Sequence, residues 1–276
     1  MKSVLLTALD GSGAPVRGLG PTDFMLREDG QDREVAEVTP ATDPQYVLVL
    51  IDTAQPPMGQ QAPVRDMRLG LTTFVQRIQA ANPASQIALM EIGGAAVTTV
   101  KFTAKAEDLE KSINRLFPSQ RSETVLLEGL MDAAKDMGKA KGPRRAIVSL
   151  TFASREGSRI QPRDVAMAVQ QAGASYWAIS VQASADAATA MSGLQNADEM
   201  GPAREAILEN LPPATGGQRI TAVSATGLES IFGRVADALT AQYVVTYARP
   251  DGAGMPQAIQ ARAKGASTVL MAPWIQ

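Results

Sequence analysis

Several short, continuous runs of apolar residues constrain the fold of this chain more than any other feature. The clearest are YVLVLID at 46–52, RRAIVSLTF at 144–152 and SYWAISV at 175–181. Each run is too short for a buried helix, which is typical of strands that are buried on both faces. Segments with apolar residues at helical spacing lie between and after these runs, at 64–81, 107–117, 124–137, 162–172 and 226–241. The alternation predicts an α/β fold with a mostly parallel sheet and helices on both of its faces.

One connection predicts a strand that runs against the others. QIALMEI at 86–92 is a further candidate strand, and Gly93 and Gly94 lead from it directly into AVTTVKFT at 96–103. A parallel crossover needs about a dozen residues or more. The strand after Gly94 must therefore run antiparallel to its neighbour.

Both ends of the chain have the pattern of strands joined by turns. Residues 1–43 contain turn signals at 10–13 and at Asp29-Gly30, where we expect Glu28 and Asp29 to lie in a solvated hairpin turn. About 40 residues of strand cannot bury a core alone. We therefore expect 1–43 and 242–276 to form one small β-sandwich, with an α/β domain at 44–241 inserted between its halves.

The composition excludes several classes of function. The 276 residues include no cysteine and no histidine, which removes thiolate chemistry, a Ser-His-acid triad and the commonest metal ligands. The formal net charge of −2 argues against a nucleic-acid surface or a polybasic membrane patch. No apolar run approaches the roughly 20 residues that span a bilayer. Neither a dinucleotide-binding G-x-G-x-x-G nor a P-loop follows the first buried strand.

Several motifs resemble one family. VLVLIDTAQPP, the helix that opens at Thr124 and RRAIVSLTF resemble a von Willebrand factor type A domain. The segment DGSGAPVRGLGPTDFMLREDG is similar to the N-terminal part of bacterial "VWFA-related" proteins, and ATGGQRI and LESIFGRVADALTAQYVVTYARPDG are similar to their carboxyl half. The resemblance implies a Rossmann-like sheet with one antiparallel edge strand. We also expect an exported protein (periplasmic, cell-surface or secreted) whose signal is absent from this sequence.

The resemblance also implies a metal-ion-dependent adhesion site, in which two serines, a threonine and two aspartates supply oxygens to Mg²⁺. Asp52 matches the first aspartate and Thr124 the threonine, but Ala54 and Pro56 stand at the serine positions and Phe152 at the second aspartate. Three of the five ligands have lost their oxygen, and Mg²⁺ needs an octahedron of hard oxygens. We therefore predict a degenerate site with no functional metal and no cofactor, although residual Mg²⁺-dependent binding stays open. Asp52 would then cap backbone N–H groups of its loop or pair with Thr124.

The resulting functional prediction is a non-enzymatic module for protein–protein interaction or adhesion, with an unidentified protein partner. Its binding surface would be the loops at the carboxyl ends of the strands, where open α/β sheets place their ligands. The candidate contact residues are Gln55, Met58, Gln60, Phe152, Arg155 and Arg159. Phe152 would either fill the vacated metal pocket or stand exposed as an anchor. A structural scaffold or self-assembly module of the cell envelope is the open alternative.

Overall fold

The computed structural model describes residues 1–55, 63–121, 123–182, 198–250, 256 and 258–273. The strands are β1 (Lys2–Leu9), β2 (Phe24–Glu28), β3 (Gln31–Arg33), β4 (Val35–Pro40), β5 (Gln45–Ile51), β6 (Gln86–Glu91), β7 (Val97–Thr103), β8 (Glu123–Thr124), β9 (Arg144–Thr151), β10 (Arg155–Glu156), β11 (Ser175–Val181), β12 (Arg219–Ala222), β13 (Tyr243–Tyr247), β14 (Ile259–Ala263) and β15 (Thr268–Ala272). The α-helices are α1 (Val64–Ala81), α2 (Ala106–Asn114), α3 (Leu126–Gly138), α4 (Pro162–Gln171), α5 (Gly201–Ala214) and α6 (Leu228–Thr240).

The central sheet has six strands in the order β12-β11-β9-β5-β6-β7. Its neighbouring strands pair in parallel, except that β7 runs antiparallel to β6 at one edge. The prediction of a mostly parallel sheet with one antiparallel edge strand is confirmed. This arrangement brings the ends of β5 and β9 together at one edge, because the two strands are parallel neighbours.

The apolar runs are continuous because helices cover both faces of this sheet. Successive side chains of a strand point to opposite faces, and β5 shows the result. Val47, Val49 and Ile51 join the apolar cluster that contains residues of α1 and α6. Leu48 and Leu50 join the cluster on the other face, with residues of α3 and α4.

Strands from both ends of the chain form two further sheets, which we call the terminal sheets. Their strand orders are β15-β1-β13-β4 and β14-β2-β3. Side chains of β1, β2 and β13 share one apolar cluster, in which the rings of Phe24 and Tyr243 pack edge to face with centroids 5.6 Å apart. The two terminal sheets thus make the small β-sandwich of the predicted fold class, while the domain boundaries at 43 and 242 stay a proposal.

The expectation that Glu28 lies in a solvated turn is wrong. Phe24, Leu26 and Glu28 alternate along β2 on its buried face, and Glu28 is only 1% exposed. Its carboxylate pairs with the Nε atom of Arg249 at 2.5 Å and faces Arg33 at 3.7 Å. Because a buried charge is costly unless it is paired, this acid is part of the core of the terminal sheets. Asp29 does lie in the turn, with a left-handed φ of 51°.

Arg144, the first residue of β9, binds the two segments that connect the terminal sheets to the central sheet. Its guanidinium donates hydrogen bonds to the carbonyl oxygens of Ala41, Asp43 and Leu239 at 2.7–2.8 Å, and to Oε1 of Gln242. Burial lowers the pKa of Arg144 to about 10, so it stays charged at neutral pH. One side chain therefore ties together the segments that enter and leave the α/β region.

None of the helices in the described part of the chain combines the length and the apolar character that crossing a membrane requires.

Candidate functional site

The loops that follow the central strands at their carboxyl ends form the candidate site, which we call the carboxyl edge. It comprises residues 52–55, 117–121, 123–124 and 152–159 among those that the structure describes. Pro56, Met58 and Gln60, which the sequence also indicated, lie outside the described residues.

Asp52 follows β5 directly and is 1% exposed. Its Oδ1 atom accepts a hydrogen bond from the backbone N–H of Ala54 at 2.9 Å. Its Oδ2 atom accepts one from the backbone N–H of Phe152 at 3.1 Å and one from the Ser154 hydroxyl at 3.3 Å. Both carboxylate oxygens are thus engaged by protein donors, and the acid joins the loop after β5 to the loop after β9.

Burial raises the pKa of Asp52, because a carboxylate loses hydration when it is buried. The hydrogen bonds from Ala54 and Phe152, the charge of Arg204 and the hydroxyl of Ser154 oppose this rise by favouring the ionised form. The carboxylate is therefore held by neutral donors, with one positive charge nearby.

Thr124 differs from its expected role in two ways. It lies in β8, which pairs in parallel with β10, and α3 begins only at Leu126. Its hydroxyl donates to the carbonyl oxygen of Ile92 at 3.3 Å and its side chain is fully buried. Of the two roles expected for Asp52, the structure shows the capping of backbone N–H groups, while Thr124 bonds elsewhere.

The residues present do not fit a Mg²⁺ ion. Asp52 already accepts three hydrogen bonds, and Ala54 and Phe152 have no side-chain oxygen. Among the described residues, no group of three or more acidic side chains could hold a metal ion. Mg²⁺ binds through several hard oxygens in near-octahedral geometry, and these positions do not offer them.

An apolar cavity takes up the space beside Asp52. Phe152 is half-buried and packs against the core on the α1 side of the central sheet. The cavity has a volume of about 10 Å³ and is lined by Asp52, Thr53, Ala54, Pro63, Val64, Met67, Leu116, Phe117, Pro118 and Phe152. A volume of this size holds at most about one water molecule. Phe152 therefore fills space at this edge while the residue remains partly exposed.

The polar candidates lie at the surface of the same edge. Gln55 is exposed and its backbone N–H donates to the carbonyl oxygen of Arg121 at 2.7 Å. Arg155 is partly exposed, with its Nη1 atom 3.8 Å from Oε1 of Glu123. Arg159 is exposed, and its backbone N–H donates to Glu128 at 3.3 Å. These three residues are thus at least partly exposed on loops or short strands of the carboxyl edge, and their role as contact residues stays a prediction.

Phe117 belongs to this edge, although the sequence interpretation placed it in a helix. The predicted helix at 107–117 ends earlier, since α2 stops at Asn114. Phe117 is 68% exposed, and the guanidinium of Arg68 lies 5.3 Å from the centre of its ring. A signal was present in Pro118, because the residue before a proline is disfavoured in helical conformation.

Arg204 is the second residue that the sequence did not reveal. It lies on α5, and its guanidinium donates to the carbonyl oxygens of Phe152 (2.7 Å) and Ser154. No local pattern marks it, because its partners lie about 50 residues earlier in the chain.

Solved structures with a similar fold share little sequence with this chain. Proximal thread matrix protein 1 from the mussel byssus, in a structure with a zinc-occupied MIDAS motif, matches with a TM-score of 0.55 and 14% identity over 82% of this chain and 50% of that chain. A von Willebrand factor type A protein from Catenulispora acidiphila matches with 0.51 and 10% identity over 86% and 50%. The pilus adhesin SpaC from Lactobacillus rhamnosus GG matches with 0.52 and 12% identity over 85% and 36%.

This chain spans half or less of the length of those three proteins. No protein-family model and no curated protein matches the sequence. The likenesses therefore establish the fold.

Proposed function

Because this chain has the fold of von Willebrand factor type A domains, we propose that it is a protein-interaction module that binds its partner at the carboxyl edge, performs no chemistry and uses no bridging metal. The described residues assigned to the contact are Gln55, Phe117, Phe152, Arg155 and Arg159. The observation that carries the proposal is an exposed aromatic side chain beside an acid whose two oxygens are already engaged within the protein.

Phe117 supports protein recognition. Phe117 is 68% exposed, so a partner could bury most of its surface on binding. Energetically dominant interface residues are enriched in aromatic residues and arginine. Phe117 has Arg68 packed on its ring, and Arg155 and Arg159 lie on the same edge of the sheet. The combination suits a protein surface that offers an apolar pocket with acidic groups around it.

The state of Asp52 supports recognition without a metal. The Asp52 carboxylate already accepts hydrogen bonds from Ala54, Phe152 and Ser154, which take three of the roughly four lone-pair positions of the group. A bridging ion would therefore find little free oxygen on this acid, and the side chains of Ala54 and Phe152 add none.

The likenesses support an interaction role by analogy of fold alone. One structure is a pilus adhesin and another a matrix protein of the mussel byssus. By the same analogy we propose that this chain is exported. Self-association of the module as a scaffold is the alternative that the binding experiment must separate.

The experiment is site-specific photo-cross-linking in the cells that produce the protein. A photoreactive phenylalanine analogue replaces Phe117 at the carboxyl edge, and the matched control carries it at Met25, which is 63% exposed on β2. We expect a discrete cross-linked protein from position 117 and none from position 25, with the same yield in the presence of a chelator. Equal capture at both positions, or capture that the chelator abolishes, contradicts the proposal.

Cross-linking to a second copy of this chain identifies the scaffold alternative instead. Light scattering over a concentration series then shows whether a stable oligomer forms. Calorimetric titration with Mg²⁺ and Mn²⁺ tests the metal part separately: a stoichiometric heat that Asp52→Ala removes contradicts it.

A further inference from the structure

Arg204 and Asp52 are connected through the same two residues. The carbonyl oxygens of Phe152 and Ser154 accept hydrogen bonds from Arg204. The backbone N–H of Phe152 and the hydroxyl of Ser154 donate to Asp52. The loop after β9 is thus held between a cation on α5 and an acid after β5.

The positive charge of Arg204 also acts on two buried acids. It favours the ionised form of Asp52, which is 1% exposed, and of Glu156 in β10, which is 6% exposed. Burial raises the pKa of both carboxyl groups, and the charge of Arg204 opposes that rise. Buried acids need a cation nearby to remain ionised at low cost, and Arg204 is the cation that acts on both.

We propose that Arg204 is the internal cation of the carboxyl edge: a positioning residue that holds the loop at 152–156 in its binding conformation and supplies the positive charge that a metal ion would otherwise bring. The inference rests on the proposed function only in calling this loop a binding surface. It explains why a site with the architecture of a metal-dependent edge can be complete without metal.

Arginine suits this position better than lysine. Its planar guanidinium offers several N–H donors in a fixed geometry, so that Nη1 and Nη2 reach two carbonyl oxygens at once. A lysine ammonium would provide the charge as a single point. The two substitutions therefore separate the charge of Arg204 from its bridging geometry.

Amide hydrogen exchange within 152–156 is the direct readout. In Arg204→Ala we expect exchange of the Phe152 amide to accelerate by roughly tenfold or more, because the loop loses two hydrogen bonds to a charged group. Arg204→Lys should give an intermediate rate. The amide of Ala178 on β11, which donates to the carbonyl oxygen of Gln218, is an internal reference that should not change.

Chemical rescue distinguishes an internal cation from a side chain that merely fills space. Ethylguanidinium at millimolar concentration should restore slow exchange in Arg204→Ala, whereas the neutral analogue ethylurea should not. Arg163→Met, which changes an exposed arginine on α4, is the matched control and should leave exchange at 152–156 unaltered.

Two results overturn the inference: unchanged exchange in Arg204→Ala, or equal rescue by ethylurea. If Arg204→Ala does not fold, the comparison of wild type with Arg204→Lys still decides, because equal rates would show that bridging is irrelevant. These outcomes are independent of the cross-linking result at Phe117, so that the inference and the proposed function can fail separately.

Discussion

Two arginines bind near the two ends of β9, one from the strand itself and one from α5, and they hold different parts of the molecule. At the amino end, Arg144 is 4% exposed and bonds to Ala41, Asp43, Leu239 and Gln242. At the carboxyl end, Arg204 is half-buried and bonds to the loop that follows the strand. Both guanidinium groups donate hydrogen bonds to backbone carbonyl oxygens.

The difference lies in what each arginine holds. Arg144 closes one end of the sheet against the terminal sheets, so that this end is internal. Arg204 fixes a loop whose outer residues, such as Arg159, face solvent. Guanidinium hydrogen bonds to backbone carbonyl oxygens therefore attach the sheet to the terminal sheets at one end and fix a solvent-facing loop at the other. Substitutions at the amino end of β9 should therefore lower stability, whereas substitutions of the solvent-facing residues at its carboxyl end should weaken binding.

The largest expected effect is that of Arg144→Met. Methionine keeps much of the apolar volume but removes the donor to the carbonyl oxygens of Ala41 and Asp43 and to Oε1 of Gln242, whereas the carbonyl oxygen of Leu239 keeps its hydrogen bond from Gln45. We expect the free energy of unfolding to fall by about 4 kcal/mol, since each unsatisfied buried group costs about 1–3 kcal/mol and part of that cost is relieved by relaxation. Urea unfolding followed by circular dichroism measures it.

The neighbouring Arg145→Met serves as a control for Arg144→Met. Arg145 also bonds to carbonyl oxygens, those of Ala140, Gly142 and Ala172, but these lie within the α/β region. If Arg144 holds the junction, only Arg144→Met should make proteolysis faster near residues 41–43 and 239–242. Equal proteolysis in both variants argues against a special role for the amino end.

Asp52→Ala should have the next largest effect. The substitution removes the acceptor of the Ala54 and Phe152 N–H groups and of the Ser154 hydroxyl. We expect a loss of about 2–3 kcal/mol in the free energy of unfolding, and the loss should be the same with Mg²⁺ as with a chelator. A loss that appears only in the presence of Mg²⁺ would falsify the structural role of this acid.

Asp52→Asn tests the structural role of this acid through the pH dependence of stability. Because burial raises the folded-state pKa of Asp52 above its ordinary value of 3.8, ionisation of this group lowers the stability of the wild type as the pH rises. The stability of Asp52→Asn relative to wild type should therefore increase from about pH 4 upward and level off above the folded-state pKa. Each tenfold difference between the acid dissociation constants of the folded and unfolded states contributes about 1.4 kcal/mol to this increase. Thermal melts across this range measure it, and parallel curves contradict it.

Most of the central sheet could be predicted from the sequence. The run that ends at Asp52 and the short turn at Gly93 and Gly94 are local patterns, and each determines a strand and its direction. The cap on Asp52 was among the expectations because an acid at a strand end has N–H groups within reach. The burial of Glu28 was not expected, since its partner Arg249 lies 221 residues away in the chain. The role of Arg204 could not be predicted for the same reason, because its partners lie 50 and 52 residues away and neither segment carries a local pattern for the contact.

Phe117→Ala should have the smallest effect on stability and the clearest effect on binding. The side chain is 68% exposed, so its removal should change the free energy of unfolding by no more than about 0.5 kcal/mol. If the ring anchors the partner, affinity should fall by about thirtyfold, which corresponds to the loss of about 2 kcal/mol at a dominant interface residue.

Met25→Ala, a change to a side chain of similar exposure on the terminal sheets, should leave both quantities unaltered. Competition makes the comparison quantitative, with unlabelled wild type, Phe117→Ala or Met25→Ala added to the cross-linking reaction. Wild type and Met25→Ala should displace the partner equally, and Phe117→Ala should fail to do so. Equal competition by all three would place the binding surface away from Phe117, which is 68% exposed at the carboxyl edge.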